Sequence, residues 1–516
     1  MALLIRSLAL AFLLCLGPTT SSRAEDNARF ISLSYHEVLS DHEPLTPTAI
    51  RASDLAQQFA WLKANNYHPV SVDQILEARK GGKPLPPNAI LLSFDDGKRD
   101  VYTRAFPLLK LFKYPAVIAL VGKWLEVPQG QTVDYDGKPL PRSEFVTWKE
   151  VKEMQASGLI EAASHAYDLH RGIPSNPQGN TQPAATTRLF QNGHYEDDAA
   201  YTARIEAGLK NTIALRTGKA PRIIVWPYGR SNLAAQHVAA QLGMPIGLSL
   251  EDGYNTAATP TAAWKRQLIE NSPSLQGFAE MLRANWNPDP MRSVRITPAD
   301  WHDFEADFSQ NLERLLSIAP NIAFIKPAVV VNGHEAALFP TTRLPVAADR
   351  LNHIAWQTER RAGVPVFIDL PAAWLNQPEL VGDLARQVNF AGLRIQAAPD
   401  NPAVQQIRTA AGRWRQPLQI AFAMDKQPPA ESWAKLAKDD LIILPARPEI
   451  IEALPDSAKQ KVLLEFDTTH PASQIADQMR QLEASGFRSF GLNSFPEAGM
   501  ETIFPAFSLR SQPQLR

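Results

Sequence analysis

Two aspartates stand side by side in Ser93-Phe94-Asp95-Asp96-Gly97, directly after the apolar run Ala89-Ile90-Leu91-Leu92. Neighbouring side chains of a regular strand point to opposite faces, so both carboxylates can address one place only where the chain turns, and Gly97 permits that turn. Carboxylates this close repel unless a proton or a cation lies between them, which hints at metal. A second group is Ser164-His165-Ala166-Tyr167-Asp168-Leu169-His170, after Leu159 to Ala163. The two histidines stand five positions apart, roughly 140 degrees on an α-helix, so a helix cannot present both to one ion. On a loop they can converge. With one aspartate they make a three-ligand site that leaves a position open for water, the arrangement of catalytic zinc sites. Such an ion lowers the pKa of its water to about 7 and polarises a carbonyl.

Two further segments end apolar runs in the same way: Trp226-Pro227-Tyr228-Gly229 after Ile223-Ile224-Val225, and Tyr35-His36-Glu37 after Phe30 to Ser34. Four runs releasing polar residues at one end is how barrel active sites are assembled from strand C-termini. The elements that must position them alternate: apolar runs at Phe30 to Ser34, Ala89 to Ser93, Ala116 to Val121, Leu159 to Ser164, Ile223 to Trp226 and Pro245 to Leu250 are separated by amphipathic stretches, the α/β pattern. Between Arg171 and Ala203 the pattern lapses into Pro, Asn, Gln, Gly and Thr, which reads as a functional lid or a disordered insertion.

The breaker cluster Asn285-Trp286-Asn287-Pro288-Asp289-Pro290 sets a linker over 285–291, between one domain at 25–284 and another at 292–516. The second holds eight predicted strands: Arg292 to Thr297, Asn321 to Val330, Val364 to Leu370, Ala391 to Gln396, Pro417 to Met424, Asp440 to Ala446, Lys461 to Asp467 and Phe487 to Phe495. Helical stretches such as Asp303 to Leu316 and Ala472 to Ser485 separate most of them. Eight such repeats are what a closed (β/α)8 barrel requires.

The chain of 516 residues, with 52 Lys+Arg against 53 Asp+Glu, is too long for one small module and carries no electrostatic footprint for nucleic acid or an anionic membrane. Residues 1–24 read as a secretory signal: Arg6, an apolar stretch from Leu8 to Leu16, then Ser22-Arg23-Ala24 with small residues at a cleavage site. No later run is long enough to cross a membrane. Cys15, the single cysteine, lies inside that segment, so a mature chain has neither disulfide nor thiolate chemistry. Lipidation of Cys15 is the alternative, with outer-membrane anchoring, but Leu14 stands where a small residue normally precedes a lipidated cysteine.

Ser93 to Gly97 and His165 to His170 resemble the first two motifs of the NodB-homology polysaccharide deacetylases of carbohydrate esterase family 4, and Trp226 to Gly229 looks like the third. With Tyr35-His36-Glu37 ahead of the Asp-Asp motif, the order is similar to the circularly permuted branch, the periplasmic poly-β-1,6-N-acetyl-D-glucosamine N-deacetylases of biofilm export. The resemblance implies an α/β chain with a distorted NodB-like (β/α) barrel followed by a C-terminal glycoside-hydrolase-like (β/α)8 barrel. It implies Asp95 as general base, Asp96, His165 and His170 as ligands of a divalent metal such as zinc, His36 as catalytic acid, and the backbone N–H of Tyr228 as oxyanion donor. It also implies a periplasmic monomer acting on the exported polymer beside an outer-membrane porin and a periplasmic helical-repeat scaffold.

Two departures matter. The family's third motif commonly carries an arginine two residues before the proline to orient the base, and Val225 stands there, with Arg222 nearby; weak base orientation would fit a slow enzyme. In the C-terminal domain, a Phe-His-Asp-Asp-Ala-like string that serves sugar cleavage is replaced by Phe390-Ala391-Gly392-Leu393-Arg394-Ile395-Gln396-Ala397-Ala398. Glycoside hydrolysis needs a carboxyl pair, and nothing in the sequence pairs Asp369, Asp425, Glu465 and Asp467. A degenerate barrel for polymer binding or support is expected. Taken alone, Asp-Asp-Gly is usually a turn, and the side chains of Trp226 and Tyr228 could equally pack the barrel rim. His194 with Tyr195 and Glu196, His334 with Glu335, and His302 with Asp303 read as solvated surface. Competing functions are a deacetylase of peptidoglycan or chitin-like oligomers using the same site, and a weakly catalytic glycan-binding export protein.

Overall fold

The computed structural model describes residues 27–210, 212–284, 290–296 and 304–510. The expected signal segment with Cys15, most of the expected linker, His302 and Asp303 lie outside the described residues. The chain forms two compact units. One draws on the chain up to His170, on Glu206–Arg230 and on the stretch from Ala239; the other on Arg171–Ile205, Ser231–Val238 and the C-terminal part.

The first unit is built on an all-parallel sheet. Its strands are β1 (Phe30–Tyr35), β2 (His68–Pro69), β3 (Ala89–Phe94), β4 (Ala116–Leu120), β5 (Ile160–Ser164), β6 (Ile223–Val225), β7 (Ile246–Leu248) and β8 (Gln267–Leu268), in the order β7-β6-β5-β4-β3-β1-β8, with β2 also pairing β3. The path is open, a half-barrel. All six apolar runs read from the sequence are strands. The two-residue strands β2 and β8 are too short to leave a hydrophobic pattern. β1 and β3 are buried along their whole length, as covered parallel strands require. Alternation divides them between two layers: Ile31, Leu33, Tyr35, Ile90, Leu92 and Phe94 enter one, Phe30, Ala89 and Leu91 the other. On that second face Ser34 and Ser93, both fully buried, stand where apolar residues would continue. Two of the crossover helices start on reciprocal caps, Ser71 with Gln74 and Thr147 with Glu150.

Arg171–Ile205 is folded, which corrects the expectation of a disordered insertion. It forms two short hairpins, Gly172–Pro174 with Thr181–Pro183 and Phe190–Gln191 with His194–Tyr195, and then leads into the helix Asp198–Gly208. It groups with the second unit although the sequence reading placed it in the first domain. Polar side chains hold it, so it has no apolar period. The Arg188 guanidinium lies 4.5 Å from the Tyr201 ring and 4.6 Å from the Trp414 ring, and pairs with Asp198 at 2.6 Å. Arg204 donates to Ala184 O, Thr187 O and Glu196.

In the second unit all eight expected strands close a parallel barrel: β9 (Arg292–Ile296), β10 (Ile322–Ile325), β11 (Val366–Asp369), β12 (Gly392–Ile395), β13 (Gln419–Ala423), β14 (Leu441–Pro445), β15 (Val462–Phe466) and β16 (Ser489–Leu492), in sequence order. The run Asn321 to Val330 divides into β10 and the first arm of a hairpin, Ala328–Val331 with His334–Ala337. No helix among the described residues is long and apolar enough to cross a membrane.

Candidate active site

β1 and β3 pair in register with Tyr35 opposite Phe94, so His36 and Asp95 leave neighbouring strands at one level. The Asp95 amide donates to Tyr35 O at 2.9 Å, and His36 Nε2 lies 3.8 Å from Asp95 Oδ2. Asp95 is buried, and its carboxylate is held from the opposite side by Arg266, itself fully buried. Arg266 Nη1 donates to Asp95 Oδ1 at 2.8 Å and to Ser93 Oγ at 3.0 Å, while Nε donates to Ser249 O at 2.9 Å. The Ser34 hydroxyl faces Asp95 Oδ2 at 3.4 Å. Burial pushes the Asp95 carboxyl up, but Arg266, then His165 and His36, outweigh it and hold the group below its ordinary value.

Arg266 went unnoticed in the sequence because it stands alone before the two-residue strand β8. It holds the Asp95 carboxylate where an arginine was sought at Val225, so the expectation of a loosely held Asp95 is corrected. Arg222 is engaged elsewhere, with Glu161 at 2.7 Å and Asp73 at 2.7 Å.

Asp96 turns away from the strand in a left-handed conformation, φ 70, followed by Gly97 at φ 68. That double turn lets adjacent carboxylates address one site. A Cβ on Gly97 would lie 2.9 Å from Leu120 Cδ2. Ala166, between the histidines, and Tyr228 are also left-handed, with φ 64 and 57. Each such residue costs about 1–2 kcal/mol without a glycine, so the surrounding fold stabilises three strained points around one cluster.

At the centre, His165 Nε2 and His170 Nε2 each lie 3.4 Å from Asp96 Oδ1. That oxygen is buried and has no hydrogen-bond partner. His165 Nδ1 lies 2.7 Å from Val225 O. A carbonyl only accepts, so the proton sits on Nδ1 and the Nε2 lone pair faces the cluster, the tautomer a metal ligand needs. One donor atom from each of the three residues lies within 4.8 Å of the others. An orphaned carboxylate oxygen facing two imidazole nitrogens fits a divalent transition metal. Burial lowers the His170 pKa, but Asp136 and Asp96 outweigh it and raise the ring to about 10, a measure of how strongly the cluster attracts positive charge. Asp96 is held well below its ordinary value: burial opposes this, and the contacts with His165 and His170 overcome it.

The Tyr228 ring lies 4.7 Å from the His170 ring and Trp124 packs at 4.8 Å from it, so the side chain of Tyr228 faces the cluster, while Trp226 is fully buried. Sequence reasoning missed three other neighbours. The Tyr135 hydroxyl donates to Asp96 Oδ2 at 2.5 Å, and burial with the Asp96 charge raises that phenol, keeping it a donor. Asp136 Oδ1 accepts from the Tyr228 hydroxyl at 2.5 Å and lies 3.5 Å from His170 Nδ1. Lys98, buried, sits between Glu37 at 3.6 Å and Glu144 at 3.2 Å. Tyr135 and Asp136 precede Gly137, and an Asp-Gly pair between strand-like runs is a strong hairpin signal, one that locates the turn but not what its tip touches.

One half-buried carboxyl near this region takes no part in the cluster. Burial pushes Asp100 up to about 7 from an ordinary 3.8, with Glu37 adding and the Val38 amide and Lys98 opposing. A raised folded-state value means that stability present below about pH 4 is lost as pH rises through about 7. Asp100→Asn is therefore expected to be more stable than the parent at pH 8, on the order of a few kcal/mol, with the difference vanishing near pH 4 in urea titrations.

Of the residues expected on the surface, His194 and His334 are exposed. Tyr195 and Glu196 are not: the Tyr195 hydroxyl donates to Asp349 at 2.7 Å and Glu196 pairs with Arg204. Glu335 accepts from Trp374 Nε1 at 2.8 Å.

Residues 82–247 match the family model for polysaccharide deacetylases. The chain is 35% identical over 371 residues to the poly-β-1,6-N-acetyl-D-glucosamine N-deacetylase of Escherichia coli strain K12, a match covering 68% of this chain and 54% of that protein. The chain thus spans about half the length of the curated relative it matches. Among solved structures, the BpsB deacetylase domain from Bordetella bronchiseptica is 40% identical, covering 48% of this chain and 97% of that one with a TM-score of 0.44. A de-N-acetylase from Aggregatibacter actinomycetemcomitans is 37% identical, covering 49% and 99% with a TM-score of 0.46. Asp95, Asp96, both histidines and the Trp226 to Gly229 turn all fall inside the matched stretch, whereas His36 and Arg266, which flank Asp95, come from either side of it. Residues 82–247 thus form a domain of the polysaccharide deacetylase family.

Proposed function

We propose that this protein removes N-acetyl groups from poly-β-1,6-N-acetyl-D-glucosamine during polysaccharide export in the periplasm, as a monomer beside an outer-membrane porin and its helical-repeat scaffold. The observation that carries the chemistry is the pairing of a buried, Arg266-held Asp95 with an Asp96–His165–His170 cluster and His36 on the adjoining strand end. The β-1,6 polymer is taken from the name of the Escherichia coli relative. A divalent cation held by Asp96, His165 and His170, zinc by the preference of such a donor set, supplies Lewis acidity toward the acetamide oxygen and the attacking water.

The remaining work belongs to the chain. Asp95 accepts the proton of the water that attacks the carbonyl, and Arg266 and Ser34 fix the carboxylate for that transfer. The Tyr228 backbone N–H is the oxyanion donor; such a donor is typically worth about 3 kcal/mol. His36, protonated, delivers a proton to the departing sugar nitrogen, so the C–N bond breaks to a neutral amine and acetate. The substrate is uncharged, in keeping with a chain of net charge -1.

Acetate release from β-1,6-linked N-acetylglucosamine oligomers tests this reading. Faster release from β-1,6 than from β-1,4 oligomers supports it; the reverse preference would assign the site to chitin-like substrates.

For the barrel of the second unit we propose polymer binding or support without cleavage. Asp369 on β11 and Glu465 on β15 do come together, but through two arginines. Arg394 Nη1 pairs with Asp369 at 2.8 Å and its Nη2 with Glu465 at 3.3 Å, while Arg295 pairs with Asp369 at 3.0 Å. With Arg394 lying between them, the two carboxylates do not flank an open place for a scissile bond, which glycoside hydrolysis requires. Prolonged incubation with partly deacetylated polymer is expected to release no new reducing ends.

A further inference from the structure

The hairpin Thr132–Tyr135 with Lys138–Pro141 contains no proposed metal ligand, yet its tip makes direct contacts with two of them. Tyr135 pairs with Lys138 across a two-residue Asp136-Gly137 loop whose φ values, 50 and 81, are both left-handed. That is the turn whose twist matches a hairpin, and it places adjacent residues at fixed positions. The base is rigid. Val133 is fully buried, and the buried Arg142 donates to the Phe145, Leu125 and Val146 carbonyls at 3.0 Å each.

From this base each tip residue acts on a different neighbour. The Tyr135 hydroxyl occupies Asp96 Oδ2, which leaves Oδ1 as the oxygen facing both imidazoles. Asp136 Oδ1 lies 3.5 Å from His170 Nδ1, a buried nitrogen with no hydrogen-bond partner, and accepts from the Tyr228 hydroxyl. It therefore ties a ligand ring to the turn that carries the oxyanion donor. Outer partners of this kind fix ligand orientation and typically cost 10–100-fold in metal affinity when removed. We propose that Tyr135 and Asp136 are positioning residues of the metal centre, Tyr135 selecting the ligating oxygen of Asp96 and Asp136 locking the His170 ring to the Tyr228 turn. This rests on the proposed assignment of Asp96, His165 and His170 as ligands.

The test compares the full-length protein with Tyr135→Phe and Asp136→Asn. Phenylalanine keeps the ring packed against Trp124 and Phe145, and asparagine tolerates the left-handed turn. Metal-stripped protein is titrated with Zn2+ against a chromophoric chelator and with Co2+ by visible absorption, and its thermal midpoint is recorded without metal. Each variant is expected to bind Zn2+ about tenfold or more weakly. The Co2+ spectrum of Tyr135→Phe should change while the metal-free midpoint stays where it was. At saturating metal, Asp136→Asn should lower kcat with KM unchanged. Parental affinity and an unchanged Co2+ spectrum in both variants would overturn the proposal, as would losses of affinity that track losses of the metal-free midpoint. Because metal binding is read without substrate, a protein that binds as expected yet releases no acetate contradicts the proposed function alone.

Discussion

Asp95→Asn is expected to lower the rate of acetate release by about 10²–10⁴-fold while the protein still binds one divalent ion, because the substitution removes the proton acceptor and leaves Asp96, His165 and His170 in place. Asparagine keeps the shape of the side chain and can still accept from Arg266, whose other bonds to Ser93 and Ser249 remain. What it lacks is basicity. Some stability is lost as well, since Arg266 is then buried without an anion. Metal stoichiometry serves as the internal control: a variant that binds the ion and does not turn over places Asp95 in the chemistry, whereas one that turns over at the parental rate removes it.

The second large effect is expected at Arg266. Removing one partner of a buried ion pair typically costs about 3–5 kcal/mol, because the remaining charge stays buried and uncompensated. Arg266→Met leaves Asp95 in that position, so denaturant titration should show a loss of this size. Activity should fall about tenfold or more through kcat, with KM little changed, since Arg266 touches the base and not the sugar. Arg266→Lys restores the charge without the forked geometry and should recover stability more fully than rate. In an Asp95→Asn background, Arg266→Met should cost much less than it does alone, the non-additivity expected of residues in direct contact. Additive costs would separate the two side chains and remove the orienting role.

Much of this arrangement was legible in the sequence, for a specific reason. A parallel strand buried on both faces reads as an apolar run, and the first polar residues after it mark its C-terminal end. His36, Asp95, Asp96, His165, His170 and Tyr228 all lie just beyond such runs, and the structure brings them to one cluster. The eight barrel strands of the second unit were readable on the same basis. What escaped notice lacked that signature. Arg266 is 171 positions from Asp95 and joins it only through the pairing of a two-residue strand with β1. The insertion after His170 is ordered by guanidinium stacking and side-chain bonds to carbonyls, which leave no hydrophobic period. Tyr135 and Asp136 were hidden differently: their Asp-Gly turn was visible, but a hairpin signal says nothing of what its tip will touch. The absence of acidic residues in Phe390 to Ala398 could be read directly, but the pairing of Arg394 from that stretch with Asp369 and Glu465 could not.

Catalysis as proposed needs a divalent ion held by Asp96, His165 and His170 beside an Asp95 that stays off the metal. Its most direct test measures acetate release from β-1,6-linked oligomers by protein stripped of metal and then given back one equivalent of Zn2+. Activity that disappears on stripping and returns at one ion per chain, but fails to return in a His165→Ala, His170→Ala variant, is the predicted result. Undiminished acetate release by the stripped protein would contradict it.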